Sequence, residues 1–465
     1  MKNSKDKKLI FLLVVIVILF LIQAIYLVYF EFFKADELNK SSLNARNSAD
    51  ETKIQRGKIY DVNGKLLTET IETNNGLHRK NTYSFMYSNI IGYNTVKYGK
   101  YGIEKSYNNE LLDIRNNEDI FTRLSGMLTS KAKGNDIYLT INDKLQGYVY
   151  DLLGENKGTV IVTKPKTGEI VTLVSKPSYN VNQIQIDWDE IMNSKDGILL
   201  NRATQGKYTP GSVFKILTST VFLRSGIDLE YKDTGEATIA GYTVHNFEGK
   251  RYGDIDLEKA LNVSANTYFF EKSKFINNDL FIKTLQDFGI GKNYNFPIQV
   301  IDSYFPFKQG LSDLEKANAS YGQGDTLVTP MDMMIIAMGI ANDGVVNQPY
   351  IVNKIVRDGK DEFVNQKILS SNIEKNIAVK LRKYLYSTGK YNDFRLSNGE
   401  YLTGKTGTAE RDKEKNNAWY VGMTSEENPE YAIVVMIENT EKMGGTLAAP
   451  IALKTIDFIN ENLKQ

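Results

Sequence analysis

The spacing of apolar positions changes several times along the chain, and each change marks an element. Leu9 to Phe30 is an apolar run of 22 residues in all, broken only by Gln23. As a helix it spans ~33 Å at ~1.5 Å per residue, enough to cross the ~30 Å hydrocarbon core of a bilayer. Residues 34–55 are polar and read as a stalk. Two short apolar runs, Lys58-Ile59-Tyr60-Asp61 and Lys65-Leu66-Leu67, flank Asn63-Gly64, a strong hairpin signal. Residues 68–135 are mixed and without repeats, and they read as a small accessory domain. From Asn135 the pattern sharpens. Ile137 to Ile141 predicts a strand and Asp143 to Leu153 a helix. Gly158–Thr163 and Glu169–Val174 predict a second hairpin around Lys164-Pro165-Lys166-Thr167-Gly168. Ser212 to Leu223 is helical by pattern and entered through Pro210-Gly211; residues 256–288 and Pro330 to Ala341 are helical too. Strand patterns follow at Tyr401–Thr408, Ala418–Met423 and Tyr431–Glu438, with a closing helix from Ala449 to Leu463. Hairpins at both ends with helices between predict an α+β domain, one antiparallel sheet drawing strands from both ends of the sequence. The expected order is a tail at 1–8, a transmembrane helix at 9–30, a stalk and accessory domain at 31–135, and the α+β domain at 136–465.

Charge and composition narrow the chemistry. The 465 residues carry 57 basic and 56 acidic side chains, without the basic surplus of a nucleic-acid binder. There is no cysteine, which excludes disulfides, thiolate catalysis and Cys-ligated zinc. Two histidines, His78 and His245, exclude a His-rich metal site, so neither metal nor cofactor is expected. Lys2, Lys5, Lys7 and Lys8 precede the apolar run and place that end in the cytoplasm, with the rest of the chain outside. A cleaved signal peptide would end in a small-residue pattern. This run ends in Tyr26-Leu27-Val28-Tyr29-Phe30, which fits an uncleaved anchor.

Three short motifs occur in order: Ser212-Val213-Phe214-Lys215, Ser264-Ala265-Asn266 and Lys405-Thr406-Gly407-Thr408. Each alone is weak, because S-x-x-K recurs at Ser4, Ser130 and Ser387, and Lys166-Thr167-Gly168 repeats K-T-G. Surroundings separate them. Pro210-Gly211 puts Ser212 at a helix start, where backbone N–H groups favour negative charge. Lys215, one turn on, can serve as its base once burial or a neighbouring cation lowers its pKa, and Lys405 could be that cation. Ser4 is cytoplasmic and Ser130 lies in a polar run, so both read as solvated. Ser264 and Asn266, two apart in a loop, can face one cleft and serve a leaving amine and a substrate amide. The glycines of Thr403-Gly404-Lys405-Thr406-Gly407-Thr408 let a substrate backbone approach a sheet edge. Lys166-Thr167-Gly168 makes a satisfactory hairpin turn and is assigned to structure.

Taken together these segments resemble class B penicillin-binding proteins. The resemblance also rests on Arg56-Gly57-Lys58-Ile59-Tyr60-Asp61, Arg202-Ala203, Tyr208 with Pro210-Gly211-Ser212, and Lys176-Pro177-Ser178-Tyr179. Tyr321-Gly322-Gln323-Gly324, Ala418-Trp419-Tyr420-Val421-Gly422 and Ala448-Ala449-Pro450 extend it. It covers residues 56 to 465 in order and is weakest between Asp61 and Gly134. It implies a peptidoglycan D,D-transpeptidase in which Ser212 forms an acyl-enzyme, Lys215 accepts its proton, and Ser264 with Lys405 protonates the departing D-Ala. Asn266 would hold the stem-peptide amide and Thr406, Gly407 and Thr408 the terminal carboxylate. The implied partners are stem peptides ending D-Ala-D-Ala, β-lactams, the membrane and a SEDS-family membrane glycosyltransferase. About 100 residues separate span and catalytic domain, too few for a glycosyltransferase domain of the chain's own.

Overall fold

The computed structural model describes residues 2–33, 54–74, 76–114, 133–307, 310–412 and 415–463. Residues 34–53 of the stalk expected at 34–55, and the decoy Ser130, lie outside them. Helix α1 (Lys2–Phe33) contains the apolar stretch Ile10–Tyr29, none of it buried against the rest of the chain. One helix among the described residues is thus long and apolar enough to cross a membrane.

The catalytic half is built on a five-stranded antiparallel sheet. Its strands are β1 (Gly158–Thr163), β2 (Ile170–Lys176), β3 (Thr403–Asp412), β4 (Lys415–Met423) and β5 (Ala432–Thr440), in the spatial order β3-β4-β5-β1-β2. β1 therefore joins the hairpin β1-β2 to β5, with Val434 opposite Ile161, 434 − 161 = 273 residues apart, as the pattern of hairpins at both ends predicts. Alternation along each strand sorts the two faces. Val160 and Val162 with Ile433 and Val435 pack under helices α2 (Asp143–Leu153) and the C-terminal Ala448–Asn462. Ile161 with Val434 and Met436 face a larger core on the other side. In that core lie α3 (Lys215–Ser225), α4 (Leu257–Asn262), α5 (Asn266–Lys272) and α6 (Pro330–Ala341). α6 is buried at every position, which explains why its sequence, Met-Met-Ile-Ile-Ala-Met, has no polar face. α7 (Lys375–Tyr391) is amphipathic and packs on both α4 and β3. A side-chain carbon on its Gly389 would lie 2.1 Å from Leu402 O, so glycine permits the close approach to the chain entering β3.

A second, six-stranded sheet stands on the N-terminal side. Its spatial order is Lys360–Phe363, Val352–Arg357, Asp136–Leu139, Ile59–Tyr60, Leu66–Thr73 and Gly76–Asn81. The Asn63-Gly64 hairpin forms as predicted, with Ile59 opposite Thr68 and Gly64 at φ 83°. The sheet also takes a hairpin from 352–363, so the N-terminal module shares strands with the catalytic half. Its floor holds a buried charge cluster. Glu104 accepts from Arg56 Nε (3.0 Å) and Arg79 Nε (2.6 Å), and Arg56 also donates to Asn108. Burial alone would raise the Glu104 carboxyl, but the Arg79 and Arg56 guanidiniums outweigh it and hold the group below the usual carboxylate range.

Candidate active site

Ser212 sits on a single 3-10 turn, Gly211–Phe214, that feeds directly into α3. The turn is held from two directions. Gly211 N donates to Gly322 O (2.9 Å), and a side-chain carbon on Gly322 would fall 2.0 Å from Gly211 O. Gly211 itself has φ 55°, and any side chain there would press on Thr408 O. Gly407 is equally constrained, since a side-chain carbon would lie 2.8 Å from Pro210 O. The glycines of both motifs thus let β3 lie directly against the Ser212 turn, near enough for side chains of the two to share a cleft. Trp419 of β4 pins the same turn by donating Nε1–H to Thr209 O (3.1 Å), with Tyr208 packed edge-on against its ring.

One turn into the helix, Lys215 is fully buried. Its Nζ donates to Ser264 O (2.9 Å), Ser264 Oγ (3.2 Å) and Asn266 Oδ1 (2.8 Å). Ser264 Oγ in turn lies 3.0 Å from Ser212 Oγ. The expected pair Ser212 and Lys215 is therefore bridged by the hydroxyl of the second motif. Burial pushes the Lys215 pKa well below that of an ordinary lysine, and the Lys405 charge pushes it further. Lys405 is buried on the edge strand β3, donates to Thr406 O (3.1 Å), and is pushed down to about 8 by burial. Lys166, of the identical triplet, is exposed in the β1–β2 turn and donates to Asn428 Oδ1.

The remaining expected residues are distributed around this core. Asn266 begins α5 and donates its Nδ2 to His245 O (3.4 Å). Thr406 and Thr408 are half-buried on β3. The Thr408 hydroxyl accepts from Gly444 N (3.0 Å), which leaves its own proton to point elsewhere. Among the described residues no hydrogen bond ties the Thr406 hydroxyl to the Ser212–Lys215 group. Sequence reasoning gave no role to Gly444, whose N–H sets Thr408 and whose backbone sits against Gly407 O and Trp419 O; its Gly444-Gly445 dipeptide was the available signal. No group of three or more His, Cys, Asp or Glu suited to a metal occurs among the described residues.

The three motifs thus meet around Ser212, with two hydroxyls and the buried Lys215 amine in one hydrogen-bonded line. Residues 158–457 match the penicillin binding protein transpeptidase domain, and residues 56–137 match the penicillin binding protein A dimerisation domain. The first match spans well over half of the sequence, so the chain belongs to the penicillin-binding transpeptidase family. It is 28% identical to the peptidoglycan D,D-transpeptidase PbpA of Mycolicibacterium smegmatis, over 92% of this chain and 93% of that one. It is also 28% identical to MrdA of Haemophilus influenzae, a peptidoglycan D,D-transpeptidase, over 82% and 65%. Among solved structures, penicillin-binding protein A of M. tuberculosis as its penicillin G acyl-enzyme superposes with a TM-score of 0.79. The two are 25% identical, with 87% of this chain and 99% of that one covered. The D,D-transpeptidase domain from Eggerthella lenta gives 0.79 at 29% identity, covering 89% and 100%.

Proposed function

We propose that the protein is a peptidoglycan D,D-transpeptidase that cross-links stem peptides through an acyl-enzyme on Ser212 and is trapped there by β-lactams. The observation that carries this reading is the hydrogen-bonded line Ser212 Oγ, Ser264 Oγ, Lys215 Nζ, with the lysine fully buried. With Lys215 neutral, the hydroxyl protons turn round on the same distances: Ser212 donates to Ser264 and Ser264 to Lys215. Ser212 Oγ attacks the carbonyl of the penultimate D-Ala as its proton passes along this line. The oxyanion meets the backbone N–H groups of Ser212 and Thr408, each worth ~3–4 kcal/mol in such sites. Lys215 and Ser264 then return a proton to the departing D-Ala nitrogen, with the Lys405 charge close by. Thr408, its lone pair engaged by Gly444, directs its O–H to the terminal carboxylate beside Thr406 and Gly407, and Asn266 holds the stem-peptide amide. An amine from a neighbouring stem resolves the acyl-enzyme. The relatives' names and the penicillin G acyl-enzyme of the M. tuberculosis protein support the same chemistry.

The membrane part of the proposal rests on α1. Its apolar length and the preceding lysines support a single span with the N-terminus cytoplasmic and the catalytic domain outside. The short interval between span and catalytic domain supports a division of labour, in which a separate SEDS-type membrane glycosyltransferase polymerises the glycan.

Membranes labelled with fluorescent penicillin test the nucleophile. The wild type should label covalently and Ser212→Ala should not, although it remains folded. Persistent labelling of Ser212→Ala would refute the assignment. External protease on protoplasts tests the topology: protection of the catalytic domain would contradict it.

A further inference from the structure

The decoy motif Ser387-Thr388-Gly389-Lys390 has no place in the chemistry above, yet its two hydroxyls meet the segment that carries Ser264. Asn262 ends α4, two residues before Ser264. Its Nδ2 donates to Ser387 Oγ (3.0 Å). Its Oδ1 accepts from the Thr388 hydroxyl (3.0 Å), which that group shares with Tyr384 O (2.9 Å). Its main-chain oxygen accepts from Asn392 Nδ2 (3.3 Å). One asparagine is thereby tied at its side chain to α7 and at its carbonyl to Asn392, the residue that caps the end of α7.

The tie acts where the backbone is least comfortable. The chain leaves α4 through a helix-ending turn in which Ser264 N bonds Leu261 O (3.2 Å) and Ala265 N bonds Ala260 O (3.0 Å). Ser264 occupies the left-handed position of that turn, φ 56°, where glycine is the usual residue. A serine is needed there for its hydroxyl, so the conformation must be imposed by its surroundings. Lys215 holds the Ser264 carbonyl from one side, and α7 holds the preceding turn from the other. The same α7 packs on β3, the strand bearing Lys405, through Gly389 against Leu402.

We propose that Asn262, clamped by Ser387 and Thr388 of α7, is a positioning residue that holds Ser264 in its left-handed turn. The clamp sets the Ser264 hydroxyl between Ser212 and Lys215 and fixes the second motif relative to the strand of the third. This rests on the acyl-transfer reading of Ser212.

The test is the second-order rate of acylation of the full-length protein by a fluorescent penicillin, normalised to the sites that eventually label, alongside melting temperature. Asn262→Ala is expected to slow acylation about tenfold, the loss of roughly one to two hydrogen bonds' worth of positioning. The pair Ser387→Ala with Thr388→Val should slow it similarly, and combining all three should slow it no further, because one clamp is removed either way. All variants should still reach full labelling, which separates the clamp from the nucleophile: Ser212→Ala alone abolishes the endpoint. Asn277→Ala removes an unrelated helix cap and should lower the melting temperature without changing the rate. Should Asn262→Ala fail to fold, Thr388→Val, nearly isosteric, gives the same reading on its own. Wild-type rates in these variants, or losses that multiply in the combined variant, would overturn the clamp while leaving Ser212 standing.

Discussion

Ser264 Oγ lies 3.0 Å from Ser212 Oγ on a residue whose φ is 56°. The hydroxyl that joins nucleophile to base is therefore carried by a strained backbone position, and stability and activity should part there. Ser264→Gly removes the hydroxyl and relieves the left-handed strain, which costs roughly 1–2 kcal/mol for a residue with a Cβ. The variant should melt at or above the wild-type temperature while acylation falls by about 10²–10⁴, the range for a lost proton-transfer group. Calorimetry and labelling kinetics on one preparation would read both. A variant less stable than wild type, or one that acylates normally, contradicts the account.

Acylation should depend on pH through two lysines with opposite requirements. Lys215 works when neutral. Its pKa is lowered by burial and by the Lys405 charge, so the neutral fraction grows as pH rises through that lowered value. Lys405 works when charged, and that charge is lost as pH rises through about 8. The rate should rise from acid pH, then fall on the alkaline side near 8. In Lys405→Arg, whose guanidinium does not deprotonate in this range, the alkaline fall should disappear. A profile still rising between pH 9 and 10 in the wild type would rule out a role for the Lys405 charge.

Glu104 serves the frame rather than the chemistry. Its folded pKa is depressed, so its contribution to stability is present above the ordinary carboxylate pKa, ~4.3, and is lost as pH falls through the depressed value. Glu104→Gln leaves Arg56 and Arg79 buried with only part of their pairing and should cost ~3–5 kcal/mol. Urea titration at pH 7 would show the loss. The gap to wild type should narrow as the pH is lowered below 4, while the acylation rate of folded protein stays unchanged.

The legible and illegible parts of the fold divide by range. Short-range signals survived well: Asn63-Gly64 turns, α6 spans Pro330–Ala341 as its apolar run predicts, and Asp143–Leu153 is a helix to the residue. The Ser212 helix differs in its first turn, which is 3-10, because Gly211 must accommodate both Gly322 and Thr408. The motifs were legible as words, since spacing within S-x-x-K and S-x-N fixes which groups share a face. What joins the words was not. No periodicity tells that residues 352–363 complete the N-terminal sheet, or that Ser387 meets Asn262. Nor does it tell that a glycine at 444 donates to Thr408. Those are contacts between distant segments, and one sequence carries no record of pairing.

The two K-T-G triplets make that limit measurable. Lys405 and Lys166 open identical triplets; their flanks, Gly404 and Thr408 against Pro165 and Glu169, hint at different roles, and the fold separates them. Lys405 is 2% exposed on the edge strand, and its charge is felt at Lys215. Lys166 is exposed and bonds a surface asparagine. A buried cation that orders the field around a base is worth far more than the same cation in water, because little solvent screens it. Lys405→Ala removes the charge that favours neutral Lys215 and attracts the substrate carboxylate. It should slow acylation by about 10²–10³, as removal of one electrostatic stabiliser does elsewhere. Lys166→Ala removes a solvated turn residue and should change stability by less than ~0.5 kcal/mol, with the acylation rate unaltered. Stopped-flow acylation by penicillin on the two variants decides the matter. Equal effects would mean that burial of the Lys405 charge has no bearing on the reaction, and the third motif would lose its assignment.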